Sequence, residues 1–128
     1  MNQIQSRILV VDDEPFIRRT VKSILRVVGQ FQMEEAADGE SALALVDSFR
    51  PHVVLCDVGM APMNGFAFLE KLRSHHDEAL RQTPVVMLTA DASEGTVRAA
   101  MKLKPAGYLV KPVSPKKMSE LLQTLAVF

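Results

Sequence analysis

Apolar runs that are too short to form helices recur along this chain, and they constrain its fold more than any other feature. Residues 8–11 read Ile-Leu-Val-Val, and residues 53–56 read Val-Val-Leu-Cys. A short run that is apolar at every position is typical of a strand buried on both faces of a sheet. Between these runs, apolar residues recur at helical spacing instead. Strands that alternate with helices favour right-handed crossovers and a parallel sheet covered on both faces.

This alternation predicts five strands and five helices in one domain that spans residues 1–128. The predicted strands are 8–11, 32–37, 53–56, 84–88 and 108–110, and the predicted helices are 17–28, 42–49, 66–72, 91–101 and 118–125. Residues 74–83 are polar, and they either extend the third helix or form a loop. The second strand carries Glu34 and Glu35, and acidic side chains on a strand indicate the edge of a sheet.

The composition is that of a soluble globular domain. Of 128 residues, 48% are hydrophobic and 23% are charged, with 15 basic and 15 acidic side chains. This balance disfavours a dedicated surface for nucleic acid or anionic membrane, where a basic excess is expected. No apolar run approaches the roughly 20 residues that span a bilayer. The single cysteine, Cys56, has no internal disulfide partner and weakly indicates a reducing compartment. We therefore expect a cytoplasmic protein with no direct nucleic-acid or membrane partner.

Charged residues follow three of the predicted strands at the point where each strand ends. Asp12 and Asp13 follow the first, Asp57 follows the third and Lys111 follows the fifth. In a parallel sheet these ends lie at one edge, and ligands bind there where the strand order reverses. Carboxylates crowded without a partner repel one another, so the cluster implies a hard cation and an anionic substrate.

The chemistry that these residues permit is phosphoryl transfer. Three carboxylates suit Mg²⁺, and Lys111 is expected to lie away from the metal side, near the far oxygens of an anion. Thr89, at the end of the fourth strand, offers a hydroxyl donor. Asp57 is then placed to attack a phosphoryl group in line and to form an aspartyl phosphate.

The same residues resemble the signature of the receiver domain of two-component response regulators. The resemblance is carried by Asp12-Asp13, Asp57, Thr89-Ala90, Tyr108 and Lys111-Pro112, in this order over nearly the whole chain. Taken singly, each is a common capping residue, strand end or surface aromatic, so the specificity lies in the combination. The resemblance implies a flavodoxin-like, doubly wound fold with three α/β/α layers, five helices and the strand order 2-1-3-4-5.

The resemblance also implies a role for each residue of the acidic pocket. Asp57 would accept a phosphoryl group from a histidine kinase or a phosphotransfer protein. Asp13 would bind Mg²⁺ directly, Asp12 would bind it largely through water, and Asp57 and the backbone carbonyl of Gly59 would complete the metal site. Beyond its own phosphorylation and dephosphorylation, such a domain would not act as an enzyme.

Switching is the third implication of the resemblance. Lys111 would pair with the phosphoryl group, Thr89 would move to bond it, and Tyr108 would swing inward to fill the vacated space. The face formed by the fourth helix, the fifth strand and the last helix would then change. It would control a protein partner or an attached output domain, with a phosphorylation-dependent dimer as another outcome.

The chain departs from the family pattern in several places. Ala61 and Pro62 stand where the family usually has proline first, so the loop after Asp57 is expected to differ in shape. Gly59 has no side chain where many relatives carry a polar one, which leaves the rate of dephosphorylation open. Residues 104–107 read Lys-Pro-Ala-Gly in place of a small and acidic run, and the proline is expected to stiffen the approach to Tyr108.

Two other functions stay open, and Gly59 counts against the first of them. A hydrolase with an aspartyl nucleophile, like haloacid-dehalogenase-type phosphatases, would carry an acid two residues after Asp57, where this chain has Gly59. A scaffold with the receiver fold that does not switch is the second alternative, motivated by residues 104–107. No output segment follows the last helix, so the chain is expected to be either a stand-alone protein or a domain excised from a longer response regulator or hybrid histidine kinase.

Overall fold

Five parallel strands form one sheet in the computed structural model, which describes residues 5–60, 63–90, 93, 95, 98 and 101–127. The sheet has the order β2-β1-β3-β4-β5, as predicted. The strands are β1 (Arg7–Val11), β2 (Gln32–Ala36), β3 (Val53–Asp57), β4 (Val85–Thr89) and β5 (Gly107–Val110). The third and fourth strands each run one residue beyond the prediction, so Asp57 and Thr89 are the last residues of their strands.

Helices connect the strands and cover both faces of the sheet. They are α1 (Pro15–Val28), α2 (Gly39–Phe49), α3 (Gly65–Arg73), the single turn α4 (Glu78–Arg81) and α5 (Pro115–Thr124). The predicted helix over 91–101 lies mostly outside the described residues, although positions 95, 98 and 101 are helical. None of the helices in the described ranges has both the length and the apolar character needed to cross a bilayer.

The helices begin where the sequence supplies capping side chains. Asp38 accepts a hydrogen bond from the Ser41 N–H at the start of α2, and Asn64 accepts one from the Ala67 N–H at the start of α3. Each cap satisfies a backbone donor that the first helical turn leaves without a partner. The cap at Asn64 places the beginning of α3 a short loop after Asp57.

Two apolar cores, one on each face of the sheet, explain the uniformly apolar strands. Leu9, Val11, Val54 and Cys56 point to the core that contains Phe68. The residues that alternate with them point to the opposite core, and they are Ile8, Val10, Val53 and Leu55. Because side chains of a strand alternate between faces, both sets must be apolar when both faces are covered. The first and third strands are thereby held rigidly beneath the residues that follow them.

The polar segment 74–83 is a loop with one helical turn and does not extend α3. α3 ends at Arg73, and Asp77 caps α4 by accepting hydrogen bonds from the Ala79 and Leu80 N–H groups. The Arg73 guanidinium donates to the carbonyl oxygens of Arg81 at 3.0 Å and Thr83 at 2.7 Å. The cap at Asp77 and the Arg73 hydrogen bonds within the same segment therefore decide between the two alternatives that the polar sequence left open.

Candidate functional site

Three carboxylates converge at the carboxyl edge of the sheet, between β1 and β3. Asp12, Asp13 and Asp57 each offer an oxygen, and these oxygens lie within 4.8 Å of one another. Asp12 is 1% exposed and Asp57 is 8% exposed, whereas Asp13 faces solvent. The strand order brings them together because β1 and β3 are neighbours where the order reverses. The predicted convergence is confirmed.

Lys111 lies among these carboxylates, closer to Asp12 than the sequence led us to expect. Its Nζ donates to Asp12 Oδ2 at 2.8 Å and to Asp57 Oδ1 at 3.0 Å. The backbone N–H of Lys111 donates to the carbonyl of Thr89 at 2.7 Å, which anchors the residue to the end of β4. The Lys111–Pro112 peptide bond that follows is cis. One ammonium thus offsets part of the charge of the cluster, and an excess of negative charge remains.

The balance of these forces raises the pKa of Asp57 above its ordinary value of 3.8. Burial is the largest influence and disfavours the charged form. The hydrogen bond from Lys111 opposes burial, the charge of Asp12 adds to it, and a bond from the Gly59 N–H opposes it again. Without a further cation, Asp57 therefore ionises less readily in the folded protein than an ordinary aspartate does.

Lys111 keeps its charge because the neighbouring carboxylates favour the protonated ammonium. Burial, the largest single influence, would lower its pKa, but the hydrogen bonds to Asp12 and Asp57 and the charges of these two carboxylates together raise the pKa above its ordinary value of 10.5. The neighbouring Cys56 thiol behaves differently, because burial and then the charges of Asp57 and Asp12 raise its pKa. Cys56 is consequently a small apolar residue of the core and takes no part in the chemistry of the edge.

Asp12, in the turn after β1, forms hydrogen bonds through its backbone N–H, its backbone carbonyl and its carboxylate. Its N–H donates to the carbonyl of Ala36 at 3.1 Å, and its Oδ1 accepts from the N–H of Glu14 at 2.9 Å. Its carbonyl oxygen accepts from Arg18 Nη1 at 2.6 Å. Arg18 was not predicted as part of the site, because the sequence does not distinguish an arginine on an amphipathic helix from any solvated surface residue.

The other predicted site residues, Thr89, Tyr108 and Gly59, lie in or just beyond the strands expected from the sequence. Thr89 is buried at the end of β4, and Tyr108 is half-buried in β5, where it packs against the core on the Phe68 side. Gly59 is exposed just beyond β3. The departure predicted at Ala61 and Pro62 falls outside the described residues.

The donor set at this edge fits a small divalent cation. All the side chains offered are carboxylates, and hard oxygen donors suit Mg²⁺ rather than the softer transition metals. Asp13 faces solvent and leaves an open side, on which a bound cation would keep several waters, as Mg²⁺ usually does. The three oxygens are also close enough together to share one ion.

A Gly65→Ala substitution is expected to lower the free energy of unfolding by about 1 to 2 kcal/mol, because it displaces the backbone that carries Asp57. A Cβ at Gly65 would overlap the carbonyl oxygen of Asp57 and lie 3.0 Å from the Val58 Cα and 2.9 Å from the Met87 Cε. Because two of these neighbours are backbone atoms, the end of β3 must shift. Urea unfolding followed by circular dichroism measures the loss.

Gly59→Ala is the matched control for this substitution. No atom of the described residues, apart from its chain neighbours, lies within 4 Å of a Cβ built at Gly59. We therefore expect a change in the unfolding free energy of less than about 0.5 kcal/mol. Equal effects at the two glycines would contradict the assigned role of Gly65.

The fold and the site together define an open, doubly wound α/β protein with an acidic pocket at its strand-order reversal. A family model for the response regulator receiver domain matches residues 8–123. The chain therefore belongs to the response regulator receiver family of two-component systems.

Curated relatives and solved structures agree with this family. Chemotaxis protein CheY-3 of Vibrio cholerae is 35% identical over 119 residues, which are 93% of this chain and 90% of that protein. The probable transcriptional regulator ycf27 of Cyanophora paradoxa is 35% identical over 121 residues, which are 94% of this chain but 48% of that protein. The chain thus spans about half the length of the ycf27 relatives. The structure of CheY4 of Vibrio cholerae superposes with a TM-score of 0.85 at 34% identity, covering 95% of this chain and 99% of that one.

Proposed function

We propose that this domain accepts a phosphoryl group on Asp57 from a histidine kinase or a phosphotransfer protein, in a Mg²⁺-dependent reaction. The observation that carries the proposal is the convergence of three carboxylates and one ammonium on a single pocket. Lys111 contacts both Asp12 and Asp57 within 3.0 Å, and the three carboxylate oxygens lie within 4.8 Å of one another. A cation and an anion are needed to complete such a pocket.

The transfer step moves one phosphoryl group between two side chains. A carboxylate oxygen of Asp57 attacks phosphorus in line, the N–P bond of the donor phosphohistidine breaks, and the imidazole leaves with the electron pair. Lys111 then holds an oxygen of the new acyl phosphate and offsets its charge. Mg²⁺, held by Asp12, Asp13, Asp57 and the carbonyl of Gly59, would supply positive charge to the phosphoryl oxygens.

The output of the domain is proposed to pass through Thr89 and Tyr108. The Thr89 hydroxyl bonds the phosphoryl group, and Tyr108 moves inward to the space that Thr89 vacates. This changes the face made by β5, α5 and the predicted helix over 91–101, which would engage a protein partner, an attached output domain or a second copy of the chain. Two apolar side chains on this face support such a role, because Met101 is 55% exposed and Val110 is 41% exposed.

The proposal assigns no turnover of a free substrate to this domain. A phosphatase with an aspartyl nucleophile needs a general acid near Asp57, and Gly59 has no side chain to supply one. A cytoplasmic location is part of the same proposal, and the single cysteine in a reducing compartment is compatible with it.

The experiment that tests the proposal is exposure of the protein to acetyl phosphate with Mg²⁺. The intact mass is expected to rise by one phosphoryl group, and chelation of Mg²⁺ is expected to prevent the rise. Borohydride reduction of the acyl phosphate, followed by peptide mass spectrometry, should place the modification on Asp57. A protein that takes up no phosphoryl group, or takes it up at another residue, would end the proposal.

A non-switching scaffold is the second candidate, and the backbone before β5 is the observation that favours it. Lys104 has φ = 53°, in the left-handed region, and is followed directly by Pro105. The proline ring fixes φ at position 105 and thereby stiffens the approach to Tyr108. A titration with beryllofluoride followed by NMR separates the two functions, because a switching domain shows shifts at Tyr108 and on α5, whereas a scaffold shows shifts at the pocket alone.

A further inference from the structure

We propose that Arg18 is a positioning residue that raises the Mg²⁺ affinity of the site by holding the peptide group between Asp12 and Asp13. The inference rests on the proposed function, because it concerns the same cation. It assigns a role to a residue of α1 that lies outside the acidic pocket.

The Arg18 guanidinium joins three parts of the fold. Nη1 donates to the carbonyl oxygen of Asp12 at 2.6 Å, and Nε donates to Glu35 Oε1 in β2 at 2.7 Å. The Arg18 side chain is only 14% exposed. A charge-assisted bond from a planar, largely buried guanidinium has a defined direction, so it restrains the group that accepts it.

That accepting group controls the direction of Asp13. The carbonyl of Asp12 and the N–H of Asp13 belong to one planar peptide unit, so a rotation of the carbonyl also turns the backbone of Asp13. Asp13 is exposed, and its carboxylate depends on this backbone for its position. Among the described residues, the N-cap residue of α1, Glu14, makes no side-chain cap hydrogen bond, and its own N–H donates to Asp12 Oδ1 at 2.9 Å. Arg18 adds a second restraint on this turn, at the carbonyl of Asp12.

Glu35 keeps the guanidinium in place. It accepts from Arg18 and also from Lys22 Nζ at 2.8 Å, and these two hydrogen bonds, that of Lys22 first, lower its pKa. The sequence predicts Glu35 as a charged residue of an edge strand, and β2 is indeed at the edge. Because Glu35 pairs with Arg18 and Lys22 of α1, it also orients the Arg18 guanidinium.

Position and charge predict opposite effects when Arg18 is removed. Arg18 is a cation near a cation site, so on charge alone its loss would strengthen Mg²⁺ binding. If Arg18 positions Asp13, its loss weakens binding instead. Lys22 is the matched control, because it carries the same charge and shares Glu35, but its ammonium bonds Glu35 and not the carbonyl of Asp12.

The test is calorimetric titration of Mg²⁺ into the metal-free wild type, Arg18→Gln and Lys22→Gln. We expect Arg18→Gln to raise the Kd roughly tenfold, the usual scale for a group that orients a metal ligand. Lys22→Gln is expected to leave the Kd unchanged or slightly lower. In the metal-free proteins, the NMR signal of the Asp13 amide should shift in Arg18→Gln and stay in place in Lys22→Gln, and Arg18→Lys should restore part of the affinity.

The outcomes separate this inference from the proposed function. Normal Mg²⁺ binding by the wild type with unchanged or tighter binding by Arg18→Gln overturns the inference alone, and so does equal weakening in Arg18→Gln and Lys22→Gln. A wild type that binds no Mg²⁺ overturns both. If urea unfolding shows that Arg18→Gln is not folded, Glu35→Ala takes its place, because alanine cannot accept the Arg18 hydrogen bond, and an unchanged Kd in that variant overturns the inference.

Discussion

Asp57→Asn is expected to abolish phosphoryl uptake and at the same time to stabilise the metal-free protein at neutral pH by about 1 kcal/mol. Asparagine offers no carboxylate nucleophile, so the mass increase with acetyl phosphate should disappear. The stabilisation follows because the substitution removes one of three carboxylates that a single ammonium offsets. Relief of a poorly compensated buried charge is worth about 1 to 3 kcal/mol, and the lower figure suits a site open to solvent.

The pH dependence of this stabilisation has a definite sign. Folding raises the pKa of Asp57 from 3.8, so the wild type loses stability as the pH rises through the folded pKa of this group. The asparagine side chain of the variant does not titrate. The difference in unfolding free energy between variant and wild type should therefore be small near pH 3.8, grow as the pH rises and level off once Asp57 is ionised.

Urea unfolding at several pH values measures this difference, and Glu120→Gln is its control. Glu120 is an exposed carboxylate on α5, so its substitution should change neither phosphoryl uptake nor the pH profile. Saturating Mg²⁺ should reverse the order of stability, because an ion at a hundred times its Kd adds about 2.7 kcal/mol to the state that binds it. An Asp57→Asn protein that is less stable than wild type without metal would show that the bond to Lys111 outweighs the repulsion.

Lys111→Met is expected to destabilise the metal-free protein by about 2 to 3 kcal/mol. Removal of one partner from a buried ion pair leaves an uncompensated charge and costs roughly 3 to 5 kcal/mol, and partial exposure reduces that figure here. Asp12 and Asp57 would then face each other without the ammonium that contacts both. Phosphoryl uptake should slow about a hundredfold or more, because a donor to the developing charge is gone.

Mg²⁺ binding should respond in the opposite direction to stability in this variant. Without Lys111 the carboxylates are more negative and have lost a competing donor, so the Mg²⁺ affinity should rise while the metal-free stability falls. Urea unfolding with and without Mg²⁺, together with a calorimetric titration, reports both quantities. Lys116→Met, at an exposed position of α5, should change the unfolding free energy by less than about 0.5 kcal/mol. Similar losses at Lys111 and Lys116 would contradict the central place given to Lys111.

Much of the site was predictable because its residues stand next to elements that the sequence marks clearly. Apolar runs placed Asp12, Asp13 and Asp57 at strand ends, and a parallel sheet brings such ends to one edge. The strand order came from the resemblance to receiver domains and was confirmed. The helix predicted over 91–101 stays a prediction, because most of it lies outside the described residues.

The interactions that were missed depend on packing between distant segments. Arg18 meets Asp12 and Glu35 only because α1 packs over β1 and β2 with one particular face inward, and helical periodicity does not say which strand residue lies opposite. Gly65 must lack a side chain because the start of α3 approaches the backbone of β3, and nothing in the local sequence reveals that approach.

The sequence by itself determined the five strands, the helices that correspond to α1, α2, α3 and α5, and the chemical types of the residues at the strand ends, because hydrophobic periodicity is a local property. The tertiary structure decided which of those residues meet. Lys111 reaches Asp12 across 99 positions and Asp57 across 54, and only the assembled sheet brings these atoms within hydrogen-bonding distance. The physical reason is that electrostatic interactions depend on separation in space, which the order of strands and the packing of helices establish.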